Sequence, residues 1–307
     1  LSAKNYLILA FDNEKLLIEN ILSTIQKWDP DIIIGWNVVG FDFNFLMSRC
    51  KHYNIEAKIG RNDSKLTITK SYYRNTTRAQ LNGRVILDID KALRHNFFSF
   101  ESYALDNVAR ELLGERKQID HSVDKWSEIE RMYKEEPIKL LDYNVADTEL
   151  VTKIVDKTQI LDLLIARSKI SGLLLARVGI STAAFDHMFI PAFNRAGYVI
   201  NNVDDVDYSE SAKGGYVFEP EVGLWEHVVC LDFKSLYPSI ISTFKIDPLS
   251  RIESKVDSIE TPEGYKFSRT RHVLPGVIDK LLKQRAKAKA DNNAQLSQAI
   301  KILMNSF

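Results

Sequence analysis

Short apolar runs and helical spacing alternate along the first hundred residues. Leu17, Ile21, Ile25 and Trp28 keep the period of a helix, and Asp12-Asn13-Glu14 is expected to cap it near Lys15. Strands are predicted at 6–11, 32–34, 66–73 and 84–90, with a second helix from Phe41 onward and a turn at Asn82-Gly83. This alternation predicts an α/β domain.

Helical patterns dominate the next hundred residues, with breaks expected near Gly114 and Pro137. The segment 201–215 is rich in Asn, Asp, Ser and Gly and predicts a linker, and the polar segment 250–268 predicts a loop. After residue 275, two apolar stripes flank Asp291-Asn292-Asn293. They predict an antiparallel helical hairpin.

Composition bounds the class of protein. The 307 residues suggest two domains or slightly more, and no apolar run approaches the roughly 20 residues of a membrane helix. Cys50 and Cys230 lack metal-site spacing and are expected to be buried in a reducing compartment. Net charge is zero, but residues 201–263 carry 13 acidic and 5 basic side chains, whereas 266–301 carry 9 basic and 2 acidic. This asymmetry suits a protein that handles both metal ions and phosphates.

One carboxylate ends an apolar run at 228–231 and is followed by a polar turn and a second apolar run. A buried strand there would hold Asp232 rigidly at the mouth of a sheet, where it can bind a divalent metal. Backbone N–H groups at the following helix start can bind phosphate. The pattern favours phosphoryl transfer, and the alternative is a strand whose aspartate only caps the next helix.

The string Asp232-Phe233-Lys234-Ser235-Leu236-Tyr237-Pro238-Ser239 resembles motif A of the family B DNA polymerases. The resemblance implies that Asp232 and Phe233 bind two Mg²⁺ ions and that the turn at Ser235 and Leu236 touches the nucleoside triphosphate. It also implies that Tyr237 packs under the nucleotide sugar, where a flat ring leaves no room for a 2′-hydroxyl.

A second carboxylate centre is predicted from Gly35 to Asp42, where a strand runs into a helix, and from Tyr143 and Asp147, which share one helical face. Taken singly, Asp42 is typical of a helix start and the Tyr143/Asp147 pair of a solvated helix edge.

Together these segments resemble the second and third exonuclease motifs of the same polymerases. The resemblance implies that Asp42 and Asp147 bind two Mg²⁺ ions and that Tyr143 positions the attacking water. Two-metal hydrolysis needs several converging carboxylates. Asn37 and Phe41 are then expected to contact the displaced primer end.

The first exonuclease motif of the family, Asp-x-Glu on a strand, is not found. Asp12-Asn13-Glu14 has the spacing but follows a predicted strand, and Asp88-Ile89-Asp90 lacks the glutamate, although Asp88 is expected near the site. We expect the chain to begin downstream of the true pair and to end before the second palm aspartate.

The C-terminal hairpin is basic, with Arg285 and Lys289 on one helix and Lys301 on the other. Without context such a pattern is typical of a solvated face. Residues 301–307 resemble the start of polymerase motif B, which implies that Arg285 and Lys301 bind the triphosphate, with Lys289 nearby. Asn305 would face the nascent base pair. Cations there would stabilise the leaving pyrophosphate.

Lys213-Gly214-Gly215-Tyr216 resembles the Gly-Gly-Tyr segment between exonuclease and palm, which implies DNA contacts at Gly214, Gly215 and Tyr216. Lys213 stands where an aromatic residue or proline is usual. Stretches at 29–39, 111–114, 195–199 and 243–248 resemble the bacterial, repair-associated branch of the family.

The expected fold is therefore α/β plus α+β and multidomain. It comprises a partial ribonuclease H-like exonuclease domain at 1–178, the N-terminal part of a palm at 179–270 and partial fingers at 271–307.

The expected function is DNA-dependent DNA synthesis with 3′→5′ proofreading in replication and repair, in a bacterial cytoplasm. Primer-template DNA, deoxynucleoside triphosphates and, through regions outside this chain, a sliding clamp are the expected partners, with no membrane. The 307-residue chain alone is expected to be inactive. The alternatives are a stand-alone exonuclease and a non-catalytic scaffold.

Overall fold

The computed structural model describes residues 8–71, 76–115, 125–177, 179–202, 205, 215–233 and 235–306. The chain divides into two compact units. The first is Leu1–Ile165 with Leu174–Gly179, and the second is Ala166–Leu173 with Ile180–Phe307. The three-domain division at 178 and 270 stays a prediction.

The first unit combines helices with two small sheets. Its elements are α1 (Glu14–Trp28), β1 (Ile32–Gly35), α2 (Asp42–His52), β2 (Thr67–Ser71), β3 (Thr76–Gln80), β4 (Val85–Asp88), α3 (Ile89–His95), α4 (Leu105–Leu113), α5 (Lys125–Glu135), α6 (Pro137–Thr158) and the first half of α7 (Ile160–Ser171). β1 pairs with β4 in parallel, and β2 pairs with β3 as an antiparallel hairpin. This bears out the strand–helix alternation predicted from the sequence.

The start of β4 is anchored by Arg84, whose side chain is 1% exposed. Its guanidinium donates to the carbonyl oxygens of Ile59 (2.7 Å) and Pro30 (2.9 Å) and pairs with Asp29 at 2.7 Å. The next backbone N–H, that of Val85, donates to the carbonyl of Asp31 at 2.9 Å. One buried side chain therefore joins the end of α1, the start of β1 and the start of β4.

The core of the first unit lies under α1 and α2. Ile18 and Leu22 of α1 pack with Phe43 and Cys50 of α2 and with Ile59. The apolar stripe predicted for α1 differs from the helix face that is buried. Of its members, Ile25 packs on this core, whereas Leu17, Ile21 and Trp28 are exposed. The apolar surface of α1 is thus wider than the face that this core covers.

The predicted helix breaks are confirmed. Gly114 follows α4 with φ +70°, a left-handed conformation that glycine adopts without strain, and Pro137 begins α6. Asn13 caps α1 by accepting a hydrogen bond from the Leu16 N–H at 3.0 Å.

The second unit is mainly helical. Its elements are the second half of α7, α8 (Ser181–Arg195), α9 (Leu236–Phe244), α10 (Pro248–Ile252), β5 (Ser258–Glu260), β6 (Lys266–Ser268), α11 (Leu274–Ala290) and α12 (Ala294–Met304). Phe189 and Phe193 of α8 pack with Leu249, Leu274 and Ile278 to form its core. The predicted antiparallel hairpin is confirmed as α11 and α12, with Asn293 capping α12.

Asp247 connects three elements of the second unit. Its side chain is buried and accepts hydrogen bonds from the backbone N–H groups of Ser250 (2.7 Å), Leu274 (2.9 Å) and Val273. It therefore caps both α10 and α11. Ser242 of α9 also donates to Asp279 of α11 at 2.7 Å, so α9 and α11 are joined by packing and by polar contacts.

Three predictions from the pattern are wrong. Residues 8–11 of the predicted first strand are irregular, since no described strand pairs with them, and Tyr6 lies outside the described residues. The segment 250–268 is not a loop: it holds most of α10 and the β5–β6 hairpin, whose short strands give little periodic signal. Cys230 is exposed, although Cys50 is buried as expected. Most of the predicted linker lies outside the described residues, and none of the described helices is long and apolar enough to cross a membrane.

Replacing Arg84 by methionine is expected to lower the free energy of unfolding of the first unit by about 2–4 kcal/mol, because buried carbonyl oxygens lose their donors. Urea titration followed by hydrogen exchange of the β4 amides measures this change. Arg61→Gln is the matched control: Arg61 also binds Asp29 but is solvent-accessible, and its loss is expected to change stability by less than about 1 kcal/mol. Equal effects would contradict the role of Arg84.

Replacing Asp247 by alanine is expected to destabilise the second unit by about 2–4 kcal/mol, since three backbone donors lose one acceptor. Thermal unfolding and hydrogen exchange of the α11 amides provide the measurement. Asp257→Ala, which removes an exposed carboxylate paired with Arg269, serves as the control. An Asp247→Ala protein as stable as the control would contradict the double cap.

Candidate active sites

The first candidate site lies where β1 leads into α2. The loop Trp36–Phe41 connects them, and Asp42 is the first residue of the helix. In the described part of the chain, the N-cap residue Phe41 makes no side-chain capping hydrogen bond. Partial desolvation, followed by the nearby charge of Asp88, raises the pKa of Asp42 above its ordinary value, although a hydrogen bond from its own backbone N–H opposes the rise. Two carboxyl groups in one neighbourhood, one of them partly desolvated, favour a divalent cation.

Asn37 and Phe41 lie on that loop, as predicted. Asn37 adopts φ +55° and is exposed, and Phe41 is also exposed beside Asp42. The indole N–H of Trp36 donates to the carbonyl oxygen of Tyr103 at 3.0 Å, which fixes the start of the loop. Phe41 therefore presents an aromatic surface next to the carboxylate.

Asp88 lies at this site, as expected for the end of its strand. In the parallel register it stands opposite Gly35, so both strands end together. One oxygen of Asp88 accepts from the Val39 N–H at 2.9 Å, and the other pairs with Lys91. Asp90 accepts from the Asn37 N–H at 3.2 Å. The sequence predicted that Asp88 lies near the site. It did not predict these hydrogen bonds to the loop, because their partners are far apart in sequence and no local motif indicates them.

Tyr143 and Asp147 lie one turn apart on α6, as predicted. Tyr143 is buried at 8% exposure and Asp147 is half-buried, so the alternative of a fully solvated helix edge is wrong for Tyr143. Within the described ranges, no group of three or more His, Cys, Asp or Glu side chains is arranged to hold a metal. The first site thus consists of the Asp42–Asp88 neighbourhood, and the joint role of Asp147 stays a prediction.

The second candidate site surrounds Asp232, and here the prediction of a buried strand is wrong. Residues 215–233 form no strand, and Leu231 and Phe233 are 89% and 75% exposed. A strand needs a neighbour for its backbone hydrogen bonds, and no described strand pairs with this segment. Asp232 is therefore exposed just before α9.

The turn after Asp232 is formed as a helix start. Ser235 adopts φ +55° at the N-terminal boundary of α9, and Leu236 and Tyr237 form its first turn. The N–H groups of a first turn have no partner within the helix and can bind an anion. The Tyr237 ring is 72% exposed, so its flat face is accessible.

The basic residues lie on the adjacent helices α11 and α12. Arg285 is half-buried, and its buried Nε atom has no hydrogen-bond partner among the residues that the structure describes. Lys289 and Lys301 are exposed, and Asn305 is exposed at the C-terminal end of α12. Gly215 and Tyr216 are exposed in the irregular segment, and Gly214 lies outside the described residues.

Comparison with known proteins matches two segments of the chain to one family. Residues 2–108 match "DNA polymerase family B, exonuclease domain", and residues 180–306 match "DNA polymerase family B". The chain belongs to the family B DNA polymerases. The exonuclease match contains Asp42 and Asp88, and the polymerase match contains Asp232, Arg285 and Lys301.

Individual relatives of this chain belong to the same family. It is 42% identical to DNA polymerase II of Escherichia coli over 95% of the chain and 38% of that protein. It is 28% identical to DNA polymerase 1 of Pyrococcus abyssi over 96% of the chain and 40% of that protein. The structure of the family B DNA polymerase from Pyrobaculum calidifontis aligns with a TM-score of 0.70 at 23% identity, covering 94% of this chain and 40% of that one.

These matches confirm the predicted family, the mixed α/β fold and the similarity to bacterial DNA polymerase II. The chain spans about two fifths of the length of the relatives that it matches.

Proposed function

We propose that the protein carrying this chain is a DNA-dependent DNA polymerase with a 3′→5′ proofreading exonuclease. The observation that carries the proposal is the match of separate segments to the polymerase and exonuclease domains of family B, each with an accessible aspartate at a helix start. Primer-template DNA and deoxynucleoside triphosphates are the proposed substrates. Cytoplasmic location and contact with a sliding clamp stay predictions from the family.

The donors in both sites fit Mg²⁺. This ion takes oxygen ligands and is commonly held by one or two carboxylates together with substrate phosphates. In the proposed assignment, Asp42 and Asp147 hold the ions of the exonuclease site, and Asp232 with the backbone of Phe233 holds those of the polymerase site. When bound, such ions stabilise the attacking and leaving oxygens of phosphoryl transfer.

The side chains around the polymerase site have distinct proposed roles. Arg285, Lys289 and Lys301 bind the negatively charged triphosphate, and the first-turn N–H groups of α9 at Leu236 and Tyr237 orient it. The Nε–H of Arg285 supports this role, because it has no acceptor among the described residues and a buried donor is costly until an acceptor such as an anion is supplied. Asn305 contacts the nascent base pair, and Gly215 and Tyr216 contact DNA.

In the exonuclease site, Tyr143 orients the attacking water, and Asn37 and Phe41 hold the displaced primer end. The exposure of the Phe41 ring beside Asp42 supports stacking of an unpaired base on it.

The two activities are expected to separate by mutation in the intact protein. Asp232→Ala should lower primer extension by roughly 10³-fold or more while excision persists, because a metal ligand contributes several kcal/mol to one reaction only. Asp42→Ala and Asp147→Ala should lower excision by a similar factor while primer extension persists. Primer extension and single-strand digestion assays on the three variants provide the measurement.

If all three variants kept both primer extension and excision, the assignment would be refuted. A scaffold protein would also fail to bind a nucleoside triphosphate in a Mg²⁺-dependent manner, and a stand-alone exonuclease would be insensitive to Asp232→Ala in every assay.

Tyr237 is expected to control sugar selection. Tyr237→Ala should raise the relative kcat/KM for ribonucleotides by about 10- to 100-fold, the range of discrimination that one steric contact supplies. Tyr237→Phe keeps the ring and should keep the selectivity. Tyr265→Ala removes another exposed tyrosine from the same unit and is the surface control. Unchanged selectivity in Tyr237→Ala would remove the gating role.

A further inference from the structure

Asp88, the last residue of β4, and Asp90, in the first turn of α3, hold the loop that leads to Asp42. Asp88 accepts a hydrogen bond from the Val39 N–H at 2.9 Å in a buried position. Asp90 accepts one from the Asn37 N–H at 3.2 Å. The N–H groups of Asn37 and Val39 are thus held by two side chains from outside the loop, one at the end of the parallel strand β4 and one in the first turn of the helix that follows it.

The loop is folded tightly and needs such support. Asn37 adopts φ +55°, a left-handed conformation that asparagine tolerates better than most other non-glycine residues. A Cβ on Gly40 would lie 2.5 Å from Oδ1 of Asn37, and one on Gly35 would lie 2.6 Å from Cβ of Val38. The N–H of Phe41 returns to the Asn37 carbonyl at 3.0 Å. Since Asp42 follows immediately, the shape of this loop sets the start of α2 and the origin of the Asp42 side chain.

Asp88 itself is committed to these contacts. Its side chain is 5% exposed, one oxygen faces the Val39 N–H, and the other pairs with Lys91. The ammonium group of Lys91 neutralises the negative charge of Asp88, which would be costly to bury without a partner. Asp42, by contrast, is exposed, and its carboxylate is bonded to its own backbone N–H and, among the described residues, not to the N–H of a neighbouring segment. The two neighbouring aspartates therefore have different tasks.

We propose that Asp88, assisted by Asp90, is a positioning residue for excision that holds the Asn37–Phe41 loop and thereby orients Asp42. The inference rests on the proposed role of Asp42 as a metal-binding residue of the exonuclease. Asp88 acts through the backbone N–H of Val39 and is not itself a ligand.

The comparison of alanine with asparagine at two positions separates the tasks. In the intact protein, Asp88→Ala should lower kcat of excision by about 10- to 100-fold, with little change in KM for DNA. Losses of this size are typical when a group that orients a metal ligand is removed. Asp88→Asn keeps an oxygen that accepts from Val39 and should stay within about fivefold of the original rate. Asp42→Asn should be as inactive as Asp42→Ala, because an amide is a poor Mg²⁺ ligand.

Hydrogen exchange gives a readout independent of activity. The Val39 N–H should exchange faster in Asp88→Ala and at its original rate in Asp88→Asn. Asp90→Ala should accelerate exchange at Asn37 and lower excision a few-fold, which tests the proposal even where Asp88→Ala does not fold. Asp31→Asn is the matched control, since Asp31 is an exposed carboxylate just before β1 and should leave excision unchanged.

Each outcome decides between explanations. An Asp88→Asn protein as inactive as Asp88→Ala would make Asp88 a ligand and overturn the proposal, and so would full excision by Asp88→Ala. Retained excision by Asp42→Ala would instead refute the proposed function of the site, whatever happens at Asp88. Unchanged primer extension in all these variants shows that the effects are confined to excision.

Discussion

The parallel pairing of β1 with β4 is the constraint on which the first site depends. Arg84 fixes the start of this pair by binding the carbonyls of Pro30 and Ile59, and the register then carries Gly35 and Asp88 to the same end. Because parallel strands end at one edge, the loop after β1 meets there the carboxylates of Asp88, at the end of β4, and Asp90, just after it. The neighbourhood of Asp42 and Asp88, which lie 46 residues apart in sequence, follows from that register.

The second unit shows what happens to a similar sequence pattern without a partner strand. The apolar run before Asp232 has the composition of a buried strand, yet residues 215–233 are irregular and mostly exposed in the described structure. The spacing of apolar residues indicates which face of a segment would be buried. Whether the segment forms a strand depends on backbone hydrogen bonds to a second strand. The helix start at Ser235 forms regardless, because the bonds of a helix are local.

Local signals account for what the sequence predicted. The cap at Asn13, the breaks at Gly114 and Pro137 and the α11–α12 hairpin each depend on residues within a few positions of one another. The contacts of Asp88 and Asp247 were not predictable in this way, because their partners lie up to 49 and 27 residues away in sequence. The motif residues were found by resemblance, which identifies side chains but not the contacts that hold them.

Burial separates four aspartates of this chain into two kinds. Asp88 and Asp247 are buried, and each accepts hydrogen bonds from backbone N–H groups that would otherwise have no acceptor. Such a carboxylate cannot leave its partners for a metal ion without exposing those donors to an apolar surrounding. Asp42 and Asp232 are exposed, and neither is committed to the backbone of another segment by a described side-chain hydrogen bond. The same side chain therefore holds the framework where it is buried and is available for chemistry where it is exposed, a distinction that three-dimensional packing makes and the sequence alone does not.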